Sequence, residues 1–364
     1  MSRANPVTKS TYRPELDSLR AIAITMVMLH HYLTVHLPFA GYGVAMFFVL
    51  SGYFGTRSLI GLRAHAGGPD FSHRQAAGIF YARRYLRIFP PHLLLLAVTA
   101  ILAVPDARET LGWNLLFTSN IGMMVEGDWF GRFSPLWSLS LLEQFYLIWP
   151  ALILLMPKRW LAHTALAAIL VSVLYLLTIW QFQASAFWWF MPLPAGLDSL
   201  GAGALLAVWR HDAEQNSRQL RLLRRLGLWL GGPAVALFIL SKMWHFQMPV
   251  QDLYSPVLIS LFFVWVIDRT LDGIGGPLGA LLRIRWLAAA GQVSYAAFLF
   301  HNFTELLLLP IPGLAPLLET NWGALILVPA TFVLAHLSWV LLERPISDYR
   351  KSKFRAPTAK DRGT

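Results

Sequence analysis

Apolar stretches of about 20 residues recur along the whole chain, and that recurrence decides its solvent. A helix needs roughly 20 predominantly apolar residues to cross about 30 Å of hydrocarbon. Windows of that kind fall near residues 17–37, 41–60, 89–105, 136–156, 161–180, 190–209, 226–243, 253–267, 286–308 and 323–342. Of the 364 residues 56% are hydrophobic and only 13% charged, which leaves no room for a separate soluble domain. The pattern predicts an all-α, polytopic transmembrane bundle of about ten spans. Residues 1–16 form a cytoplasmic lead-in, 17–345 the membrane domain and 346–364 a basic cytoplasmic tail. The first stretch opens with Asp17 and Arg20 and lacks a small-residue cleavage pattern, so it reads as a retained span and not as a signal peptide.

Charge orients the bundle. With the N-terminus inside, all but three of the 30 Lys and Arg residues fall in segments assigned to the cytoplasm, the exceptions being Arg108, Arg132 and Lys242. The opposite orientation would translocate nearly every positive charge, against the positive-inside bias, so both termini are expected in the cytoplasm. The formal charge of +11 is then a membrane property: no basic helix or aromatic-and-basic module is present, and no nucleic-acid partner is expected. The basic run from Arg350 to Arg362 suits a solvated tail beside anionic membrane lipids. A short apolar stretch from Leu111 to Met124, in an outer loop, reads as re-entrant or interfacial.

Cysteine is absent, which removes disulfides, thiolate nucleophiles and Cys-ligated metals. His30 and His31 are adjacent, no acid and histidine set has zinc-motif spacing, and no Gly-rich phosphate loop is present, so no metal is expected. The run Gly201-Ala-Gly203-Ala reads as close helix packing.

Ionisable groups are costly inside a bilayer and persist where they face a cavity, a partner or a substrate path. In the first span these are Asp17, Arg20, His30 and His31. Arg20 and His31 lie eleven residues apart, about three turns and about 16 Å on one helix face, whereas His30 points about 100° away. A histidine near neutral pH can take a proton from a hydroxyl as it attacks a carbonyl; the bare residues also fit a structural hydrogen-bonding role. Before the third span, in Tyr81-Ala-Arg83-Arg84-Tyr-Leu-Arg87-Ile-Phe-Pro90-Pro91, Arg84 and Arg87 share a face if helical. Guanidinium forks pair with phosphate, although basic anchoring at the inner surface explains them equally simply. The fourth span opens on Trp137, Ser138, Glu143 and Gln144, a polar and aromatic cluster that also suits an interfacial belt. Asp198 and His301 are further intramembrane polar groups, each alone compatible with a structural role.

In chain order these segments resemble the acyltransferase 3 family of membrane acyltransferases. Leu16-Asp17-Ser-Leu-Arg20-Ala and then His31 match its first-span pattern, and Phe47-Phe-Val-Leu-Ser51-Gly52-Tyr53 resembles its second. Arg84-x-x-Arg87 with the following Pro resembles its basic motif, and Trp137-Ser138-Leu-Ser with Gln144-Phe-Tyr its fourth-span motif; Asp198 and Ser294-Tyr295 to His301 fall in family order. The likeness covers about residues 13–345. It implies transfer of an acyl group, usually acetyl, from acetyl-CoA or another acyl-CoA on the cytoplasmic side to a hydroxyl of an extracytoplasmic or lipid-linked glycan. It also implies a bacterial inner membrane location. By the resemblance His31, Arg20 and Asp17 are the catalytic set, Arg84, Arg87, Ser51 and Tyr53 bind the donor, and Trp137, Ser138, Glu143, Asp198 and His301 support them. No hydrolase-like domain accompanies the spans, so the membrane unit is expected to act alone or with a separate partner.

Two positions depart from the family. The usual fourth-span Glu would stand at Leu142, with Glu143 turned about 100° from it, and many members carry Asp where Ala45 stands. A donor inside and an acceptor outside require the thioester to reach across much of the bilayer, so a channel is expected among spans 1, 2, 4 and 9. The rival reading is a transporter or flippase for an anionic lipid or glycan lined by the same Arg and His residues; paired broken helices would favour it, and none is evident. A third is a catalytically silent relative that only binds glycan or a partner.

Overall fold

The computed structural model describes residues 12–33, 39–64, 72–244 and 251–353. Most of the N-terminal lead-in, the end of the first predicted stretch and the last part of the basic tail lie outside the described residues. Every described element is helical. In order they are α1 (Pro14–Tyr32), α2 (Phe39–Arg63), α3 (His73–Ile101), α4 (Leu111–Leu115), α5 (Ser119–Glu126), α6 (Leu136–Leu155), α7 (Leu161–Gln181), α8 (Leu193–His211), α9 (Ser217–Leu226) and α10 (Gly232–Met243). They continue with α11 (Gln251–Asp272), α12 (Gly276–Leu282), α13 (Arg285–Gln292), α14 (Ser294–Leu308), α15 (Ala315–Leu318), α16 (Ala324–Ser338) and α17 (Arg344–Lys353). One π turn, Gly227–Gly231, joins α9 to α10, and another, Trp339–Glu343, joins α16 to α17.

Within the described residues each of the ten apolar stretches is mostly helical, and seven helices are long and apolar enough to cross a membrane: α2, α6, α7, α8, α9 with α10, α11, and α16 with α17. The remaining three stretches fall short for a common reason, which is that they carry polar or broken segments. The start of α1 holds Glu15, Asp17 and Arg20, and the first half of α3 holds Arg74, Arg83, Arg84 and Arg87. The ninth stretch breaks at Val293 into α13 and α14. Of these, α1 is not at the rim; it packs on α2, α13, α14 and α16.

The sequence places the third span from residue 89, where the apolar window begins after the basic segment. The helix instead starts at His73. Ser72 caps it, accepting from the Gln75 backbone N–H at 3.2 Å while Gln75 Oε1 accepts from the Ser72 N–H at 2.6 Å, a reciprocal capping box. The basic segment and the apolar span are thereby one rigid rod. Between α3 and α6, the short helices α4 and α5 fold back onto the bundle. Asn120 of α5 and Gln144 of α6 exchange amide hydrogen bonds at 3.3 and 2.9 Å, and the Ser119 and Ser140 hydroxyls meet at 2.7 Å.

The tightest packing joins α2 to α8. Gly52 sits against the backbone oxygen of Leu200, and Gly203 against that of Val49; a Cβ at either position would collide with main chain. The Gly201-Ala-Gly203 run therefore serves close helix approach, as in other membrane bundles. At the other end of α8, Arg210 and Arg224 clamp the fully buried Asp268 of α11, at 2.5 Å each.

Candidate active site

Between α1, α2, α3, α6 and α14 lies a cavity of about 270 Å³. One end is cationic: Arg20, Arg83, Arg84 and Arg87 line it, and no carboxylate belongs to its lining. The middle is apolar, with Phe47, Phe48, Leu139 and Leu142 among its walls, and Val27 and Phe298 stand at the limit furthest along α1 and α14. Spans 1, 2, 4 and 9 all contribute, as the sequence leads one to expect, and α3 adds the arginine-bearing wall.

The arginines are held by groups behind the lining. Arg20 Nη1 pairs with Asp17 Oδ1 at 2.5 Å, one turn back on α1, and its guanidinium lies 4.5 Å from the Phe54 ring centroid. Asp17 also accepts from the Tyr12 hydroxyl at 2.8 Å, and that hydroxyl accepts from Gln292 at 2.9 Å. Gly291 of α13 packs directly on the Asp17 main chain, where a Cβ would not fit. Asp17 thus positions Arg20 and does not itself face the cavity.

Arg84 donates twice to Glu143, Nε at 3.2 Å and Nη2 at 2.5 Å, and its guanidinium lies 3.3 Å from the Tyr146 ring centroid. Tyr146 in turn donates to the Ser51 carbonyl at 2.6 Å. The one-residue offset in α6 now has a meaning. Leu142 faces the lumen where a carboxylate would stand in the usual family pattern, and Glu143 is turned into the arginine behind it.

Beyond Val27 and Phe298 sit two histidines. His31 Nδ1 lies 2.9 Å from the Val27 carbonyl and His301 Nδ1 2.6 Å from the Phe298 carbonyl. Each is therefore hung from a residue that ends the cavity. The two rings are 5.0 Å apart between centroids. A carbonyl only accepts, so both Nδ1 atoms carry the proton and both Nε2 atoms keep a lone pair when the rings are neutral. His31 is exposed; His301 is 1% exposed. The Tyr32 hydroxyl locks the region by donating to the His301 carbonyl at 2.6 Å.

The other sequence candidates divide. Ser51 and Ser138 line the cavity, while Trp137 packs behind it against Phe48 and Phe190. Tyr53 does not join the donor set: it is buried towards α8 and α11, with its hydroxyl accepting from Arg57 at 3.4 Å. Asp198 lies apart, fully buried, accepting from Ser199 at 3.3 Å and Ser260 at 2.8 Å. Arg83 was absent from the sequence-based set and lines the cavity beside Arg84 and Arg87; its i,i+4 relation to Arg87 is the signal that finds it once the segment is known to be helical. Among the described residues no group of three His, Cys, Asp or Glu is placed to hold a metal ion.

An all-helical bundle with seven helices of membrane-spanning length and an arginine-lined internal cavity defines a class: integral membrane proteins that keep a polar site inside the bundle. The chain belongs to the acyltransferase 3 family, whose model, described as an acyltransferase domain, matches residues 13–344. It is similar to the peptidoglycan O-acetyltransferase OatA of Listeria monocytogenes, 29% identical over 94% of this chain and 56% of that protein. It is also similar to the putative peptidoglycan O-acetyltransferase YrhL of Bacillus subtilis, 28% identical over 92% of this chain and 55% of that one. The O-acetyltransferase OatA of Staphylococcus aureus is 24% identical over 95% of this chain and 58% of its own length. The chain therefore spans just over half the length of these relatives. No solved structure matches.

Proposed function

We propose that this integral membrane acyltransferase moves an acyl group, acetyl in the first instance, from a cytoplasmic acyl-CoA to a hydroxyl of peptidoglycan or another extracytoplasmic or lipid-linked glycan. The observation that carries this is the cavity: four arginines without a carboxylate at one end, apolar walls between, and His31 one helical turn past the other end. Phosphates of the donor fit the guanidinium end, where bidentate hydrogen bonds are strongest. Two of the five N–H donors of Arg84 are committed to Glu143, so the pair fixes the fork and the rest serve the ligand. The uncharged arm of the thioester suits the aromatic and leucine walls, and its carbonyl would emerge at Val27 and Phe298. There His31 Nε2 accepts the hydroxyl proton as the oxygen attacks, with the tautomer set by the Val27 carbonyl.

The positive-inside charge distribution supports ten spans, counting α1, α3 and α13 with α14, and both termini in the cytoplasm of a bacterial inner membrane. The relatives' names support the glycan acceptor. The test is mass spectrometry of cell-wall and lipid-linked glycans from cells carrying the native chain, the His31→Ala variant, or neither. A base-labile acyl mass found only with the native chain is the expected result. An unchanged acyl profile with altered glycan export would overturn the reading in favour of transport.

A further inference from the structure

His301 Nε2 is a buried lone pair without a donor. The ring is 1% exposed, Nδ1 is spent on the Phe298 carbonyl at 2.6 Å, and Nε2 has neither a hydrogen-bond partner nor solvent contact. A buried acceptor left unmet is uncommon and calls for an explanation. Packing alone gives no reason to keep an imidazole there, since the ring's Nδ1 bond is local to its own helix and an apolar side chain would leave nothing unmet. A group able to become a donor stands beside it: the His31 ring, tilted by 47° at a centroid distance of 5.0 Å. In the resting pair both Nε2 atoms are acceptors, so the two rings cannot bond to one another: the arrangement is short by one proton.

We propose that His301 is the positioning partner of His31 and shares the proton that His31 removes from the acceptor hydroxyl; this rests on the acyl-transfer reading above. In the step, the hydroxyl O–H bond breaks and its proton passes to His31 Nε2. The oxygen forms the new bond to the acyl carbon, and the carbon–sulfur bond of the thioester breaks. The His31 imidazolium, now a donor at Nε2, hydrogen-bonds to His301 Nε2 after a small ring rotation, and the proton then goes to the departing thiolate, leaving both rings neutral. His301 thus supplies a charge-assisted bond at the moment charge appears on His31 and none before it, which is how a group accelerates a step without tightening substrate binding. Burial of His301 keeps water from occupying its Nε2, so that acceptor stays open for His31.

Two amide substitutions separate this role from mere shape. In His301→Gln the side-chain oxygen reaches the place of Nε2; in His301→Asn the amide can still bond to the Phe298 carbonyl but ends too short to meet His31. The purified full chain is given radiolabelled acetyl-CoA and soluble uncrosslinked peptidoglycan strands, and kcat and KM are measured for both substrates. The expected result is a kcat about 10²-fold lower for His301→Asn, the lower end of what a proton-transfer group contributes, with unchanged KM and recovery to within about tenfold for His301→Gln. Native turnover in His301→Asn, or equal loss in both variants, overturns the inference and leaves acyl transfer by His31 standing. A native chain that transfers nothing overturns the acyl-transfer reading and this inference with it.

Discussion

Leu142 and Glu143 show how much a single helical step decides. Leu142 contributes an apolar patch to the cavity wall, and Glu143 serves the site indirectly by gripping Arg84 from behind. Glu143→Gln weakens that grip without emptying space. Its KM for acetyl-CoA should rise by about tenfold, the scale of one charge-assisted hydrogen bond, with a smaller effect on kcat, as read from initial rates at varied donor. His31→Ala should behave in the opposite way: kcat falls by about 10² to 10⁴ while donor KM holds. Equal losses in both parameters for both variants would deny the division of labour between the two ends of the cavity. The arginine and histidine of α1 are legible in the sequence because their spacing is local. The partnership of Arg84 with Glu143 is not, because 59 residues separate them and no periodicity relates one helix to another.

At the scale of elements, two devices build the site, one at a helix start and one at a helix crossing. Ser72 and Gln75 begin α3 early enough that Arg83, Arg84 and Arg87 ride on the same rod as the apolar span. Ser72→Ala should cost about 1 kcal/mol of helix stability, visible as faster amide exchange over the first turns of α3. The crossing of α2 over α8 depends on Gly52 and Gly203, each against main chain that cannot rotate away. Gly203→Val forces these helices apart, and overpacking of this kind costs about 1–3 kcal/mol. A lower melting temperature in detergent, with Ser51 and the cavity wall displaced alongside, is the expected outcome; an unchanged melting curve would show that the contact is not tight. The long helices were readable from apolar windows, whereas α12, α17 and all but the last residue of α9 lie outside them. The start of α3 and the break at Val293 were not, since capping and interruption depend on a few polar atoms that window averages erase.

For the whole molecule, the absence of cysteine makes the orientation directly measurable. Single substitutions at exposed positions, Glu109→Cys and Glu319→Cys in loops and Arg218→Cys at the start of α9, can be probed with a membrane-impermeant maleimide on intact cells and on inverted vesicles. Glu109→Cys and Glu319→Cys should label from outside and Arg218→Cys only from inside; the reverse pattern, or all three on one side, would refute the ten-span arrangement. The sequence by itself determined the membrane as solvent, the helical class and the family motifs, because hydrophobic length and short-range spacing are written along one chain. It also isolated Arg20, His31, Arg84 and Arg87 as residues the bilayer would tolerate only for a reason. Only the tertiary structure decided which of the polar groups meet. It turned Tyr53 and Asp198 away from the cavity, recruited Arg83, and set His301 beside His31 across 270 residues of chain. The physical reason is that which face of a helix meets which neighbour is settled by side-chain packing among helices distant in sequence, a property of the whole bundle that no single stretch contains.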